Sequence, residues 1–329
     1  MQSLVETFVA GDRGALARLI TRAESRDPEF AKAIDGLWPR VGKAYRVGVT
    51  GPPGAGKSTF VDGLASSARA RGETVGILAV DPTSPFTGGA LLGDRIRMRS
   101  AEGDEGVFIR SMATRGSLGG LARAAIDAAD LLDAFGFRRV LLETVGVGQA
   151  EFDVVAAADT VVVVLHPGGG DGVQAMKAGL MEIADVFVAN KADQPGIDRL
   201  VDDVTQMLEL RGPRDGWTPP IVPVVATERR GLDDAVAAIE RHREWQTTSG
   251  RLETRRRARR VEQVRRALEE DLRALLHDEL GWSAWIGQEV ARGRAPASVA
   301  REALERLGAG LRKAAPAAGK PGGPQAPAR

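Results

Sequence analysis

Seven short apolar runs alternate with helix-compatible stretches through the middle of the chain. Most of these runs are rich in Val, Leu and Ile and lack regular polar positions, which is typical of parallel strands buried on both faces. The predicted strands are residues 46–50, 74–81, 107–110, 138–144, 160–166, 185–190 and 221–225. Their alternation with helices predicts an α/β fold with a doubly wound, mostly parallel sheet.

Helical periodicity marks both flanks of this region. Near the beginning, Leu16, Leu19, Ile20 and Ala23 recur at helical spacing. Residues 251–312 predict two or three further helices. The Pro-, Gly- and Ala-rich residues 313–329 predict a disordered tail.

Composition excludes several classes of protein. The 329 residues include no Cys and only 3 His, which argues against disulfides, thiolate zinc sites and metal-storing clusters. A net charge of +1 argues against a nucleic-acid partner. Because no long apolar run and no signal-peptide pattern occur, we expect no membrane association and a cytoplasmic location.

A phosphate-binding loop follows the first predicted strand. Residues 51–58 read GPPGAGKS and fit the pattern G-x-x-x-x-G-K-[ST] between a strand and a helix. In this pattern backbone N–H groups surround the phosphates, the Lys reaches the β- and γ-phosphates, and the Ser hydroxyl can bind Mg²⁺. The predicted nucleotide contacts here are Gly54, Ala55, Gly56, Lys57, Ser58 and Thr59.

A second motif indicates which base is bound. Asn190, Lys191 and Asp193 form the N-K-x-D pattern directly after a predicted strand. A carboxylate at this place accepts hydrogen bonds from guanine N1–H and its 2-amino group, whereas adenine would leave it unpaired. The sequence therefore favours GTP and GDP over adenine nucleotides. Ala226, after the last strand, is either a backbone contact to the base or part of an ordinary loop.

Carboxylates near strand ends are candidates for a magnesium site. Asp81 and Glu143 end predicted strands, and Asp94 lies in a glycine-rich stretch. Together with Ser58 they are the predicted Mg²⁺ ligands, directly or through water. Each carboxylate could instead be a helix cap or a surface charge. Gly146 is the candidate for sensing the γ-phosphate through its N–H.

Several longer blocks resemble the MeaB/ArgK family of GTPases, which includes the human methylmalonic aciduria type A protein. The resemblance covers about residues 10–250. It is carried by GPPGAGKST, AVDPTSPFTGGALLGDRIRM, FIRSMATRGSLGG, LLETVGVGQAEFD and VANKAD. It implies a P-loop GTPase of the SIMIBI class, with an N-terminal helical extension at 1–45, a GTPase domain at 46–247 and a helical dimerisation arm at 248–312.

The family resemblance also implies a function. Its members act as chaperones of adenosylcobalamin-dependent acyl-CoA mutases, chiefly methylmalonyl-CoA mutase, and form homodimers. They bind the mutase, gate cofactor loading and protect it from inactivation. The glycine-rich loop containing Gln174 and Lys177 would be a third switch that responds to the mutase, although the glycines alone are equally typical of a flexible connector. Lys57, Asp81, Glu143, Gln149 and Lys177 are the predicted catalytic residues.

One position departs from other GTPases. Val147 stands where Ras-like proteins carry the Gln that orients the attacking water, and Gln149 lies two residues further on. We therefore expect slow hydrolysis unless a partner stimulates it.

Three other functions stay open beside the mutase chaperone. They are a metal-insertion GTPase, a scaffold with an inactive nucleotide site, and a small-molecule kinase or ATPase. The last of these corresponds to an older family label, an amino-acid transport ATPase.

An arginine-rich stretch follows the predicted GTPase domain. Residues 251–266 contain 8 Arg and 2 Glu, and they lack aromatic residues that could stack on bases. The run is either one solvated face of a helix whose other face packs, or a site for nucleic acid or an acidic partner.

Overall fold

A computed structural model describes residues 1–81, 103–113, 118–144, 157–168, 179–274 and 282–314. Within them, seven strands form one parallel sheet. The strands are β1 Tyr45–Thr50, β2 Val75–Asp81, β3 Val107–Ala113, β4 Arg139–Thr144, β5 Thr160–Leu165, β6 Val186–Asn190 and β7 Ile221–Val224. Each overlaps a strand predicted from the apolar pattern, so the predicted α/β fold class is confirmed.

Helices precede the sheet, alternate with its strands and follow it. Those of eight or more residues are α1 Gln2–Val9, α2 Arg13–Glu24, α3 Phe30–Leu37, α4 Lys57–Ala70, α5 Leu118–Phe135, α6 Ile197–Arg211, α7 Leu232–Thr248, α8 Arg251–Ala274, α9 Trp282–Ala291 and α10 Pro296–Ala314. The described residues from 251 onward thus form three helices. The predicted disordered tail lies outside the described residues, except for its first two, which end α10.

The sheet order is β3-β2-β4-β1-β5-β6-β7. The chain leaves the central strand β1 toward one edge, returns through β4, and then crosses to β5, β6 and β7 on the other side. Because all paired strands are parallel, the loops that follow their carboxyl ends meet at one rim of the sheet. The phosphate loop follows β1 and therefore lies at the middle of that rim.

Both faces of the sheet are buried, which explains the continuous apolar runs. Val161 and Val163 of β5 pack with the N-terminal helices and α5. Val162 and Val164 point the other way and pack with α4 and α7. Since side chains alternate across a strand, a strand covered on both sides is apolar at every position.

Three buried aspartates fix the opposite, amino-terminal rim of the sheet. Asp133 accepts hydrogen bonds from the backbone N–H groups of residues 42–44. Asp159 accepts one from Arg46 N at 3.0 Å, and Asp185 accepts one from Val161 N at 2.8 Å. These carboxylates accept hydrogen bonds from backbone N–H groups at the beginnings of β1 and β5. The buried donors there are therefore paired by side chains.

The first part of α8 is anchored to this rim by its arginines. Arg256 donates to both Asp159 oxygens and to the carbonyl oxygens of Gly42 and Ala44. Arg259 also donates to Asp159, at 3.1 Å. The helix agrees with the first interpretation of the arginine-rich run, since Arg256 and Arg259 pack on the buried carboxylate of Asp159 while Arg257 and Arg260 are exposed.

The electrostatics of this anchor depend on Asp159. Its carboxylate is fully buried, and burial opposes ionisation, but hydrogen bonds and charges from Arg256 and Arg259 outweigh burial and hold its pKa below the usual range. Burial, followed by the nearby Arg46 charge, lowers the pKa of Arg259 to about 10. Asp159 is therefore ionised and Arg259 remains charged at neutral pH.

The chain divides into two compact units, Met1–Val264 and Arg265–Arg329. The division falls inside α8, because its first arginines bind the sheet domain. Within the second unit, Trp282 and Trp285 meet edge to face, and Arg294 links Glu289 to Glu302. The domain boundaries proposed from the sequence, including an arm from residue 248, stay predictions. Across the described ranges, no helix has the length and apolar character needed to span a bilayer.

Candidate nucleotide-binding site

Two glycines of the phosphate loop stand where any side chain would clash with neighbouring atoms. Gly51 has φ +145°, and an added Cβ would lie 2.1 Å from the Val164 carbonyl oxygen. Gly56 has φ +86° and caps α4, and there a Cβ would lie 2.3 Å from Asn190 Nδ2. Both positions require the backbone region that glycine enters without steric cost. The loop is thereby held against β5 on one side and the base motif on the other.

Lys57 begins α4 and holds its charge inside this loop. The residue is only 6% exposed. Its Nζ donates to the carbonyl oxygens of Gly51 at 2.9 Å and Pro52 at 3.0 Å. The ammonium group and the N-terminus of α4 thus place positive potential at the same point, where an anionic phosphate chain would be stabilised.

Ser58 and Glu143 come together although they are far apart in the sequence. Ser58 Oγ donates to Glu143 Oε1 at 2.5 Å, from the first turn of α4 to the end of β4. Glu143 is buried at 4% exposure. The backbone of Asp81 ends β2, next to β4, which pairs Val80 with Thr144. The strand ends therefore bring these predicted metal ligands toward one rim.

The phosphate loop and the base motif are joined directly by Asn190. Its Nδ2 donates to the Ala55 carbonyl oxygen at 2.7 Å, and its Oδ1 accepts from Ala226 N at 3.1 Å. One buried amide therefore ties together three loops from β1, β6 and β7. Asn190 and Ala226 are both predicted site residues, but this bridge is not predictable from the sequence, where an amide side chain at a strand end is the only signal of it.

The remaining base-motif residues follow β6 at the same rim. Lys191 adopts a left-handed backbone with φ 58°. Ala192 N donates to the Val224 carbonyl oxygen at 3.1 Å, which fixes the turn to β7. The Asp193 side chain is exposed at the rim. Its carboxylate is thus open to a ligand.

Four predicted site residues lie outside the described residues. They are Asp94, Gly146, Gln149 and Lys177. Their roles in metal binding, phosphate sensing and catalysis stay predictions. Within the ranges that the structure describes, no group of three His, Asp or Glu side chains could hold a metal ion.

The fold and the site together define a P-loop nucleotide-binding protein with a guanine-type base loop. Residues 16–280 match the model of a family described as methylmalonyl Co-A mutase-associated GTPase MeaB. The chain belongs to this family and is a GTPase, which confirms the family resemblance and the enzyme class.

Individual relatives agree with this assignment. A protein of Pyrococcus abyssi (strain GE5 / Orsay), named as a GTPase, is 53% identical over 268 residues, which cover 80% of this chain and 83% of the relative. The mitochondrial methylmalonic aciduria type A homolog of Mus musculus is 35% identical over 267 residues, 76% of this chain and 64% of that protein.

A solved structure shares the architecture. The crystal structure titled LAO/AO transport system kinase superposes with a TM-score of 0.71 at 29% identity. The match covers 93% of this chain and 97% of that chain. Similarity therefore extends well beyond the nucleotide motifs.

Proposed function

We propose that this GTPase is a chaperone that assembles and protects an adenosylcobalamin-dependent acyl-CoA mutase, most simply methylmalonyl-CoA mutase, and gates its cofactor loading. The observation that carries the proposal is the family match over residues 16–280, since the family is described by its association with that mutase. The nucleotide state would control the interaction. We also propose that it works as a cytoplasmic homodimer through the residues of the helical arm, without nucleic acid or membrane.

The phosphate loop supplies the binding energy for the nucleotide. We infer that Lys57 and the backbone N–H groups at the start of α4 hold the β- and γ-phosphates. The Asn190 bridge fixes the distance between this loop and Asp193. A guanine base would then be read by the Asp193 carboxylate while its phosphates lie on α4.

Mg²⁺ fits the oxygen atoms at this rim. Ser58 Oγ and Glu143 Oε1 converge within hydrogen-bond distance, and hydroxyl and carboxylate oxygens are the donors that Mg²⁺ prefers. Ser58, Asp81, Asp94 and Glu143 would hold the ion, directly or through water. When bound, it would neutralise charge on the phosphate oxygens.

The base preference predicts a change of nucleotide in Asp193→Asn. The Asn side-chain NH₂ is a hydrogen-bond donor where the Asp carboxylate is an acceptor. It therefore meets another donor in the guanine 2-amino group, but it can donate to the 2-oxo group of xanthine. We expect GTP affinity to fall by a factor on the order of 100 and XTP affinity to rise. Competition with a fluorescent GDP analogue measures both.

The matched control for this variant is Asp202→Asn, an exposed carboxylate on α6. It should leave both affinities unchanged. Unaltered GTP preference in Asp193→Asn, or equal ATP and GTP turnover by the unmodified protein, would contradict the assignment. The second result would favour the kinase or ATPase alternative.

Partner recognition is tested by capture from the source cell. The tagged full chain, loaded with a non-hydrolysable GTP analogue or with GDP, is used as bait, and retained proteins are identified by mass spectrometry. We expect an acyl-CoA mutase to be enriched in one nucleotide state relative to the other. Recovery of a nickel or cobalt enzyme instead of a mutase would support the metal-insertion alternative and reject this proposal.

Stimulated hydrolysis is the second readout of the same complex. Because Val147 replaces the water-orienting Gln, the purified GTPase should turn over slowly, and the captured mutase should accelerate it. A rate unaffected by saturating mutase would remove the catalytic part of the proposal while leaving GTP binding intact.

A further inference from the structure

A cavity of about 400 Å³ opens at the amino-terminal rim of the sheet. Val161 of β5, Asp185 before β6, and side chains of α7 and early α8 line it. The phosphate loop lies at the opposite rim, and six residues of β5 at about 3.3 Å each separate the rims by roughly 20 Å. The cavity is therefore separate from the nucleotide site, and its volume suits a small molecule.

One wall of this cavity is aromatic. Trp217 and Trp245 have ring centroids 5.3 Å apart, and His242 stacks on Trp245 at 5.6 Å and 20°. Burial lowers the pKa of His242 to about 4, so the imidazole is neutral at pH 7. The three rings thus form an uncharged aromatic surface, against which a planar ring could pack.

The other groups give the cavity three guanidinium groups. Arg214 and Arg255 both bind the single carboxylate of Asp185. Glu182 and Asp215 also line the cavity, so its three arginines are matched by three carboxylates and the guanidinium N–H groups, rather than a net charge, are what a ligand would meet. Arg251 pairs with Asp215 at 3.2 Å and lies 5.6 Å above the Trp245 ring. Each guanidinium is partly exposed and has five N–H donors in a planar fork, which suits bidentate binding of a carboxylate or phosphate.

The side-chain oxygen of Gln246 gives the cavity a buried hydrogen-bond acceptor. Gln246 lines the cavity at 2% exposure, and its Nε2 donates to the Asp159 carbonyl oxygen at 2.8 Å. Among the described residues no donor reaches its Oε1. Since buried acceptors are normally paired, a ligand N–H or O–H would fit here.

We propose that this cavity is a second ligand site, which binds a small aromatic anion. The ring packs on the Trp217–Trp245 wall, the carboxylate or phosphate binds the guanidinium groups of Arg255 and its neighbours, and a ring N–H or O–H reaches Gln246. Its place between β5, β6 and α8 would let such a ligand stiffen the attachment of α8 to the sheet domain.

The test uses the full chain saturated with GDP and Mg²⁺, so that the nucleotide site is filled. Calorimetric titration with 6-hydroxy-2-naphthoate should show one site, and 2-naphthol, which lacks the carboxylate, should bind about tenfold more weakly or worse. Arg255→Gln and Trp245→Leu should each weaken the naphthoate by a similar factor. Arg257→Gln, an exposed arginine of the same helix, is the matched control and should bind normally.

Stability and GTP turnover are measured on every variant. If Arg255→Gln does not fold, Arg251→Gln at the more exposed side of the cavity replaces it. The proposal is overturned by no saturable binding at millimolar naphthoate, by equal binding of 2-naphthol, or by binding that survives both cavity substitutions. None of these results would affect the assignment as a GTPase.

Discussion

Lys57→Ala should reduce GTP turnover by a factor on the order of 10² to 10³. The lysine is the buried cation of the phosphate loop, and its Nζ already bonds two loop carbonyl oxygens, of Gly51 and Pro52. Its loss would remove both the charge that we propose faces the γ-phosphate and a contact that shapes the loop. Single-turnover hydrolysis and GTP affinity, measured separately, show how much of the loss is in chemistry and how much in binding.

Two comparisons make this result specific. Lys57→Arg keeps the charge but not the compact ammonium geometry, so it should recover part of the GTP affinity and little of the turnover. Lys32→Ala removes an exposed lysine of α3 that pairs with Glu29, and it should leave both unchanged. Normal turnover in Lys57→Ala would show that the phosphate loop does not carry the activity.

Asp159→Asn should lower the free energy of unfolding by about 3–5 kcal/mol. The substitution preserves shape but removes the one negative charge shared by Arg256 and Arg259, both nearly buried, near the buried Arg46. Uncompensated buried charges are the costly outcome when an ion pair loses one partner. Urea unfolding of the full chain, followed by circular dichroism, measures the change.

The control for this loss is an exposed ion pair. Asp203→Asn removes the partner of Arg199 on α6, where both side chains are substantially exposed, and should cost at most about 0.5 kcal/mol. If Asp159→Asn lowers the free energy of unfolding by no more than this control, solvent must reach the ion pairs of Asp159 with Arg256 and Arg259 and screen their charges. Because Asp159 is remote from the phosphate loop, GTP turnover by the folded variant should be close to normal.

The fold was largely predictable because a strand that is buried on both faces of the sheet appears in the sequence as a continuous apolar run. Val161 to Val164 are apolar without interruption, and their packing on alternate faces explains the pattern. The phosphate loop and the base motif were predictable for a similar reason, since a short spacing specifies each. The contacts of Lys57 with the loop carbonyl oxygens then follow from the strand–loop–helix geometry.

The ion pairs at the amino-terminal rim of the sheet were not predictable, because the paired residues are distant in the sequence. Asp159 and Arg256 are 97 positions apart, and Arg46 and Asp130 are 84 apart. Composition could show an excess of arginine in residues 251–266 but not which carboxylates those side chains meet. The Asn190 bridge to Ala55 was hidden for the same reason, at a separation of 135 positions.

The three aspartates at the amino-terminal rim give the sheet an uneven distribution of local stability. Asp133, Asp159 and Asp185 bind the entrances to β1 and β5, so these amides should exchange hydrogen with solvent only when the whole domain unfolds. Among the described residues the nucleotide rim is held by hydrogen bonds from Asn190, Lys57 and Ser58, without the arginine–aspartate clusters of the opposite rim. Local opening should therefore begin at that rim, and nucleotide could be released and rebound there without disturbing the base of the sheet.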